Sequence, residues 1–264
     1  MAAALYMETQ GRGRNLVLLH GWGLHGGVWD TLMPGLTAEF RVTRVDLPGH
    51  GHSRDTPMPA ALGDAARLVS ESVPAGAVWL GWSLGGLLAL RAALDAPEAV
   101  VGLVLANTTP RFVTAPGWPH AMPPEQLQEF AAGLQQDYRD TLLRFLSLQV
   151  RGDDAARGSL RQLREALFAR GEPYTGSLAA GLELLRSGDL RAELSRLRLP
   201  TLVIAGGYDR LTPPEASEVM AEAIPGARMA LIPKSAHAPF ISHPDEFTTA
   251  LLEFAHTLPA RRVA

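Results

Sequence analysis

Short apolar runs, each closed by glycine, proline or aspartate, recur along the chain: "NLVLLHGWG" (15–23), "RVTRVDLPGHG" (41–51), "AVWLGWSLGG" (77–86), "VVGLVLANTTP" (100–110), "PTLVIAGGYD" (200–209) and "MALIPKSAH" (229–237). Their length and boundaries predict buried strands ending in loops. Between them lie stretches of helical length such as "LGGLLALRAALDAP" (84–97) and "PEASEVMAEAIP" (214–225). Strands alternating with helices predict an α/β fold with a mostly parallel sheet covered on both faces. From about Arg111 to Ser187 the rhythm changes to helical patterns, as in "PPEQLQEFAAGLQQDYRDTLLRFLSLQ" (123–149) and "GSLRQLREALFARG" (158–171). We read 111–187 as a helical cap inserted into a core formed by 1–110 and 188–264, because strand-type segments resume at Pro200.

Composition narrows the function classes. With 264 residues, 47% of them hydrophobic and 19% charged, the chain fits one compact core. A net charge of -3 gives no attraction to nucleic acid or an anionic membrane. The absence of cysteine removes disulfides, thiolate metal sites and a cysteine nucleophile, and fits a reducing compartment. No run approaches the ~18 apolar residues of a membrane span, and the N-terminus lacks the basic-then-apolar order of a signal peptide. A cytoplasmic, monomeric protein is the expectation. The histidines lack ligand spacing and no nucleotide fingerprint appears, so neither metal nor cofactor is expected.

The loops at the strand ends carry the chemistry, since ligands of open α/β sheets bind beyond the carboxyl ends of the strands. Gly81-x-Ser83-x-Gly85 stands between an apolar strand and a helix, the context of a nucleophile elbow. Alone, it is equally a glycine-rich turn with a capping serine. A serine needs a base, and the base a carboxylate. Of eight histidines, His237 follows the last strand-type run. His243 precedes Pro244 at a helix start and suits a capping or surface role; His50 and His52 read as loop residues, and His120 and His256 fall in cap and tail. After the serine, Asn107 ends one strand but is neutral, whereas Asp209 ends another and gives the order Ser, Asp, His of an α/β-hydrolase. Asp46 reads as a brace for its glycine loop, and His20 as a buried residue fixing the "HGWG" loop. The backbone amides of Trp22 and Leu84 are the candidate oxyanion donors. Together these features predict a serine hydrolase acting on an acyl carbonyl.

The segments "LVLLHGWGL" (16–24), "VDLPGHGHSR" (45–54), "WLGWSLGGL" (79–87), "GGLLALRAAL" (85–94), "RFLSLQ" (144–149) and "AHAPFISHP" (236–244) resemble the pimeloyl-acyl-carrier-protein methyl ester esterases of biotin synthesis. The matches span almost the whole chain. The resemblance implies hydrolysis of a methyl ester on a carrier-bound pimeloyl chain, with Ser83, Asp209 and His237 as triad. It further implies that Trp22, Ser83, Leu84, Phe145, Leu146, Ser147, Leu148, Gln149 and His237 contact substrate; ordinary packing is the alternative for Phe145, Leu146 and Leu148.

A carrier protein is acidic, and the cap between Arg139 and Arg170 holds seven arginines against four acids. Arg144, Arg157 and Arg161 are therefore candidate docking residues for a phosphopantetheine-linked acyl carrier protein. Over 111–187 arginines and acids balance at nine each, so a solvated helix face remains the alternative. A broad carboxylesterase, a carbon–carbon hydrolase and a non-catalytic binding protein on the same fold also stay open. A haloalkane dehalogenase would need a carboxylate where Ser83 stands.

Overall fold

The computed structural model describes residues 5–259. Seven strands, β1 (Met7–Gly11), β2 (Arg14–Leu19), β3 (Phe40–Val45), β4 (Ala77–Trp82), β5 (Val100–Ala106), β6 (Thr201–Gly206) and β7 (Arg228–Ile232), form one sheet in the order β1-β3-β2-β4-β5-β6-β7. All neighbours are parallel except β1, which runs antiparallel to β3 at the edge. The six strands that follow β1 coincide with the six apolar runs. The first strand escapes that pattern because its residues, "METQG", are polar and half-exposed.

The helices are α1 (Met33–Glu39), α2 (Leu62–Ser72), α3 (Leu84–Asp95), α4 (Pro124–Gln149), α5 (Ala156–Leu167), α6 (Thr175–Ser187), α7 (Pro214–Ala223), α8 (Pro239–Ser242) and α9 (Pro244–Thr257). Leucine, alanine and glycine cover nearly every face of α3, so it is buried all round and carries the residues after Ser83 into the core. α4, α5 and α6 all lie between β5 and β6. α4 is broken at Asp137, where φ is -150° and ψ 95°. Among the described residues no helix is long and apolar enough to cross a membrane.

The sheet's carboxyl-end loops are held by buried polar residues. His20 donates from Nδ1 to the Gly21 carbonyl (2.8 Å) and accepts from the Leu47 amide at Nε2 (2.9 Å), tying the loop after β2 to the loop after β3. His50 makes the same pair of bonds from the other loop: Nδ1 donates to the Pro48 carbonyl (2.8 Å) and Nε2 accepts from the Gly23 amide (3.3 Å). Each ring uses one nitrogen as donor and the other as acceptor, which requires the neutral imidazole. Burial accordingly pushes His50 down to about 4 against the pull of its Pro48 hydrogen bond, and it pushes His20 well below the usual imidazole range, with His50 adding to the effect.

A second brace joins the segment after α5 to the core. Arg170 reaches Asp46 (3.1 Å) and Glu8 (2.5 Å), and Arg44 reaches Glu8 (2.8 Å) and Asp30. Asp46, fully buried, also accepts from the amides of Gly26 (2.7 Å) and His52 (2.8 Å), so it does brace its glycine loop. His25 adds a further tie, from Nε2 to the Ala166 carbonyl of α5 (2.6 Å).

Because the folded pKa of His50 lies below its unfolded value of 6.5, its contribution is fully present above that value and is lost as pH falls towards about 4. Urea unfolding should show stability dropping between about pH 7 and pH 5, His50 alone accounting for on the order of 2 kcal/mol. His50→Gln should be less stable near neutrality yet lose less across the same window; a variant with the wild-type slope would contradict this account.

Candidate active site

Ser83 sits in the turn from β4 to α3 with φ 55° and ψ -119°, a left-handed backbone that non-glycine residues adopt at a cost. The turn is so tight that a Cβ on Gly81 would lie 2.4 Å from the Gly85 carbonyl oxygen. A Cβ on Gly85 would lie 2.5 Å from the carbonyl oxygens of Leu19 and His20. Both flanking glycines are therefore obligatory, and a third, Gly86, faces Thr108, whose side chain a Cβ there would meet at 2.5 Å. The Ser83 amide donates to the Ala106 carbonyl (3.1 Å), and the Thr108 hydroxyl donates to the Ser83 carbonyl (2.8 Å). The turn at Ser83 is held from β5 as well as from its own strand.

The "HGWG" loop runs alongside. A Cβ on Gly21 would stand 3.2 Å from Ser83 Cβ. Among the described residues, the backbone amides of Trp22 and Leu84 donate to no protein acceptor, which leaves both for a ligand oxygen. The Trp22 indole is fixed by its Nε1 donating to the Leu178 carbonyl of α6 (2.8 Å), and its ring meets Phe145 edge-on at 4.9 Å between centroids.

Asp209 follows β6 and is fully enclosed. Its Oδ2 accepts from His237 Nδ1 (2.7 Å), Thr212 Oγ1 (2.6 Å) and Asn107 Nδ2 (2.7 Å). Its Oδ1 accepts from the amides of Leu211 (2.8 Å) and Thr212 (3.1 Å). Burial alone would raise its pKa, but His237 and these donors outweigh it and hold the carboxyl below its ordinary range. The glycine pair before it has a purpose the sequence did not disclose. A Cβ on Gly206 would fall 2.0 Å from the Ala236 carbonyl oxygen, and one on Gly207 would fall 2.4 Å from that of Pro233, so only glycine lets acid and base loops touch.

His237 is fixed on every side but one. Nδ1 is bound to Asp209, its amide donates to the Gln149 carbonyl (2.9 Å), and its own carbonyl accepts from Trp82 Nε1 (2.7 Å). With Nδ1 donating to a carboxylate, Nε2 is the basic nitrogen; it is buried and makes no hydrogen bond, to Ser83 or to any other described residue. Ser83 is 3% exposed and His237 1%, so the cluster is screened from solvent.

The structure separates the residues of the segment from Phe145 to Gln149. Phe145, Leu146 and Gln149 are buried, Leu148 is half-buried, and Ser147 is exposed, its hydroxyl returned to the Leu143 carbonyl (2.9 Å). Gln149 borders His237 through its backbone and leaves its side-chain Oε1 buried and unpaired. Arg144 on α4 and Arg161 on α5 are exposed and stand 3.9 Å from Asp140 and Glu165, while Arg157 is exposed on α5. His243 begins α9 without a side-chain cap bond; its Nε2 faces Asp154 at 3.3 Å. Beside it, Asp153 accepts from the Ala236 amide (3.1 Å) and so ties the segment before α5 to the loop of His237. Three contributions were invisible in the sequence reading: Asn107 beside Asp209, His50 under Gly23, and Gly206-Gly207. The paired glycines before Asp209 are a signal for the last, and Asn107 stands at a strand end, but nothing short-range announces its contact with Asp209 or that of His50 with Gly23.

The geometry agrees with the kinship of the chain. Residues 14–244 match the family model described as alpha/beta hydrolase fold. A pimeloyl-[acyl-carrier protein] methyl ester esterase of Stenotrophomonas maltophilia is 45% identical over 254 residues, covering 96% of this chain and 97% of the relative. One from Methylococcus capsulatus is 46% identical over 252 residues, covering 95% and 98%. Among solved structures, a hydrolase from Pseudomonas aeruginosa superposes with a TM-score of 0.80 at 32% identity, covering 95% of this chain and 94% of that one. An esterase from Exiguobacterium antarcticum, at 24% identity and a TM-score of 0.83 over 96% of both chains, shares the fold. The chain belongs to the alpha/beta hydrolase fold family and, within it, to the pimeloyl-[acyl-carrier protein] methyl ester esterases.

Proposed function

We propose that this carboxylic ester hydrolase cleaves the methyl ester of a pimeloyl chain carried by acyl carrier protein, releasing methanol and the free carboxylate in biotin synthesis, with Ser83, His237 and Asp209 as its triad. The observation that carries the assignment of the residues is the buried Asp209–His237 pair, whose outward nitrogen has no hydrogen-bond partner among the described residues, on the same sheet edge as a serine in a left-handed turn. The names of the relatives at about 45% identity support the choice of ester.

Ser83 Oγ attacks the ester carbonyl as His237 Nε2 takes its proton, and Asp209 steadies the imidazolium through Nδ1. The oxyanion of the tetrahedral intermediate accepts from the amides of Trp22 and Leu84, a pair in which one donor is commonly worth ~2.7–4 kcal/mol. His237 returns the proton to the departing methoxide, giving methanol and an acyl-enzyme. Water then attacks the acyl carbonyl with His237 again as base, and Ser83 leaves with its proton restored.

Residues 111–187 act as the cap over this site. Trp22, Phe145 and Leu146 offer an apolar wall for the methylene chain, and Gln149 sits where that wall meets His237. Ser147 and Leu148 belong to the same stretch, but Ser147 is exposed and its hydroxyl is spent on the Leu143 carbonyl within α4. Arg144, Arg157 and Arg161, exposed on α4 and α5, serve as docking contacts for the acidic carrier protein.

Ser83→Ala should reduce kcat by about 10⁴-fold or more, and Asp209→Asn by about 10⁴-fold, with folding preserved by circular dichroism. Residual turnover within tenfold of wild type would remove the triad assignment. Charge reversal at Arg144, Arg157 and Arg161 should raise KM for the carrier-bound methyl ester while sparing a short p-nitrophenyl ester; equal losses on both would sink the docking role. The gene should restore growth without biotin to a strain lacking its own esterase, and the Ser83→Ala gene should not. Failure of the wild-type gene, with p-nitrophenyl esterase activity intact, would reduce the reading to a general carboxylesterase.

A further inference from the structure

The end of β5 touches the backbone or side chain of every loop that carries a triad member. The Ala106 carbonyl accepts from the Ser83 amide (3.1 Å), and the Thr108 hydroxyl donates to the Ser83 carbonyl (2.8 Å). Between them Asn107, fully buried and at φ 42°, sends its Nδ2 to Asp209 Oδ2 (2.7 Å) and to the carbonyl of Ala236 (3.1 Å), the residue before His237. Its amide donates to the Ile204 carbonyl of β6 (2.8 Å), so its backbone is pinned as well.

The orientation of the side chain follows from chemistry. Both partners are acceptors, so a flipped amide would set Oδ1 against a carboxylate and a carbonyl; only Nδ2 can face them. That choice leaves Oδ1 buried without a partner. A residue that gives up one satisfied group in order to present two donors, in a left-handed conformation, is held there for those donors.

From this juxtaposition we infer that Asn107 is a positioning residue of the reaction: its amide spans the acid and base loops, fixing the carboxylate of Asp209 against His237 and preserving it as an acceptor. The inference rests on the triad assignment made above. Three donors converge on Oδ2, from His237, Thr212 and Asn107. Asn107 alone among them also binds the chain next to the base, so together with the bond from the Tyr208 amide to the Ser235 carbonyl (2.9 Å) it holds the two loops in register and does more than adjust the charge on one. A neutral amide suits the position because it donates without titrating. An aspartate in its place would put a second carboxylate about a hydrogen bond from the first, and the two would share a proton or repel. The ionisable groups close to this cluster are His237, bound to Asp209, and Asp153, whose Oδ2 accepts from the Ala236 amide; Arg210, next in the chain, is exposed.

Two variants test this. Asn107→Gly keeps the backbone conformation and removes both donors. Asn107→Asp keeps the shape and exchanges a donor for an acceptor. With p-nitrophenyl butyrate as probe, Asn107→Gly should lose about tenfold to a hundredfold in kcat with KM within about twofold. Asn107→Asp should shift the acid limb of its kcat/KM–pH profile upward by about one unit or more, since the added charge favours the protonated base. Thermal melts run in parallel read any purely structural effect, which would lower the melting temperature and leave the limb in place. Wild-type kcat in Asn107→Gly, or an unmoved acid limb in Asn107→Asp, overturns the inference; if Asn107→Gly does not fold, the Asn107→Asp profile decides. Equal turnover by the wild-type protein and Ser83→Ala would instead strike the triad assignment itself.

Discussion

Everything at this site depends on how closely separate stretches of backbone can approach one another at the carboxyl edge of the sheet. Gly81 and Gly85 allow the strand and helix around Ser83 to fold to within contact of each other and of the loop after β2. Gly206 and Gly207 allow the acid loop to lie directly against the base loop. At none of these four positions is there room for even a methyl group, so the geometry of Ser83, Asp209 and His237 is set by the absence of side chains beside them. The strain stored in the Ser83 backbone is tolerated because the surrounding chains leave it no other course.

Around that edge the structure uses buried polar groups as fasteners and keeps them in single protonation states. His20 and His50 are neutral because each must both donate and accept, and Asp209 is ionised because five donors converge on it. Of the four buried histidines, His20, His25 and His50 have both ring nitrogens engaged, whereas His237 keeps one free. That contrast separates histidines that hold loops from the one that can move a proton.

Much of this was legible in order along the chain. β2, β4, β5 and β6 announce themselves because buried parallel strands are nearly continuous apolar runs; β7 is apolar in sequence yet lies at the sheet edge with only Ile232 buried, and β1 does not announce itself because an antiparallel edge strand needs only its backbone to pair. Ser83, Asp209 and His237 stand out in the sequence by their places at strand ends, and the parallel topology brings those ends to one sheet edge whatever lies between them, with Asp209 bonded to His237. Asn107 stood at another of those strand ends and was set aside for its lack of charge; its importance lies in what it donates, which depends on a contact with Asp209 102 residues away. In the same way the count of arginines in the cap concealed that Arg170 is not available to a partner, being committed to Asp46 and Glu8. Composition registers a charge, but only the fold decides whether it is spent indoors.

The hydrogen bonds from the His237 amide to the Gln149 carbonyl and from the Ala236 amide to Asp153 make the helical insertion and the loop of His237 one mechanical unit. That loop contributes only backbone amides to both bonds, so they form whatever side chains stand at 236 and 237. A displacement of residues 149–153 therefore reaches the imidazole without passing through the sheet.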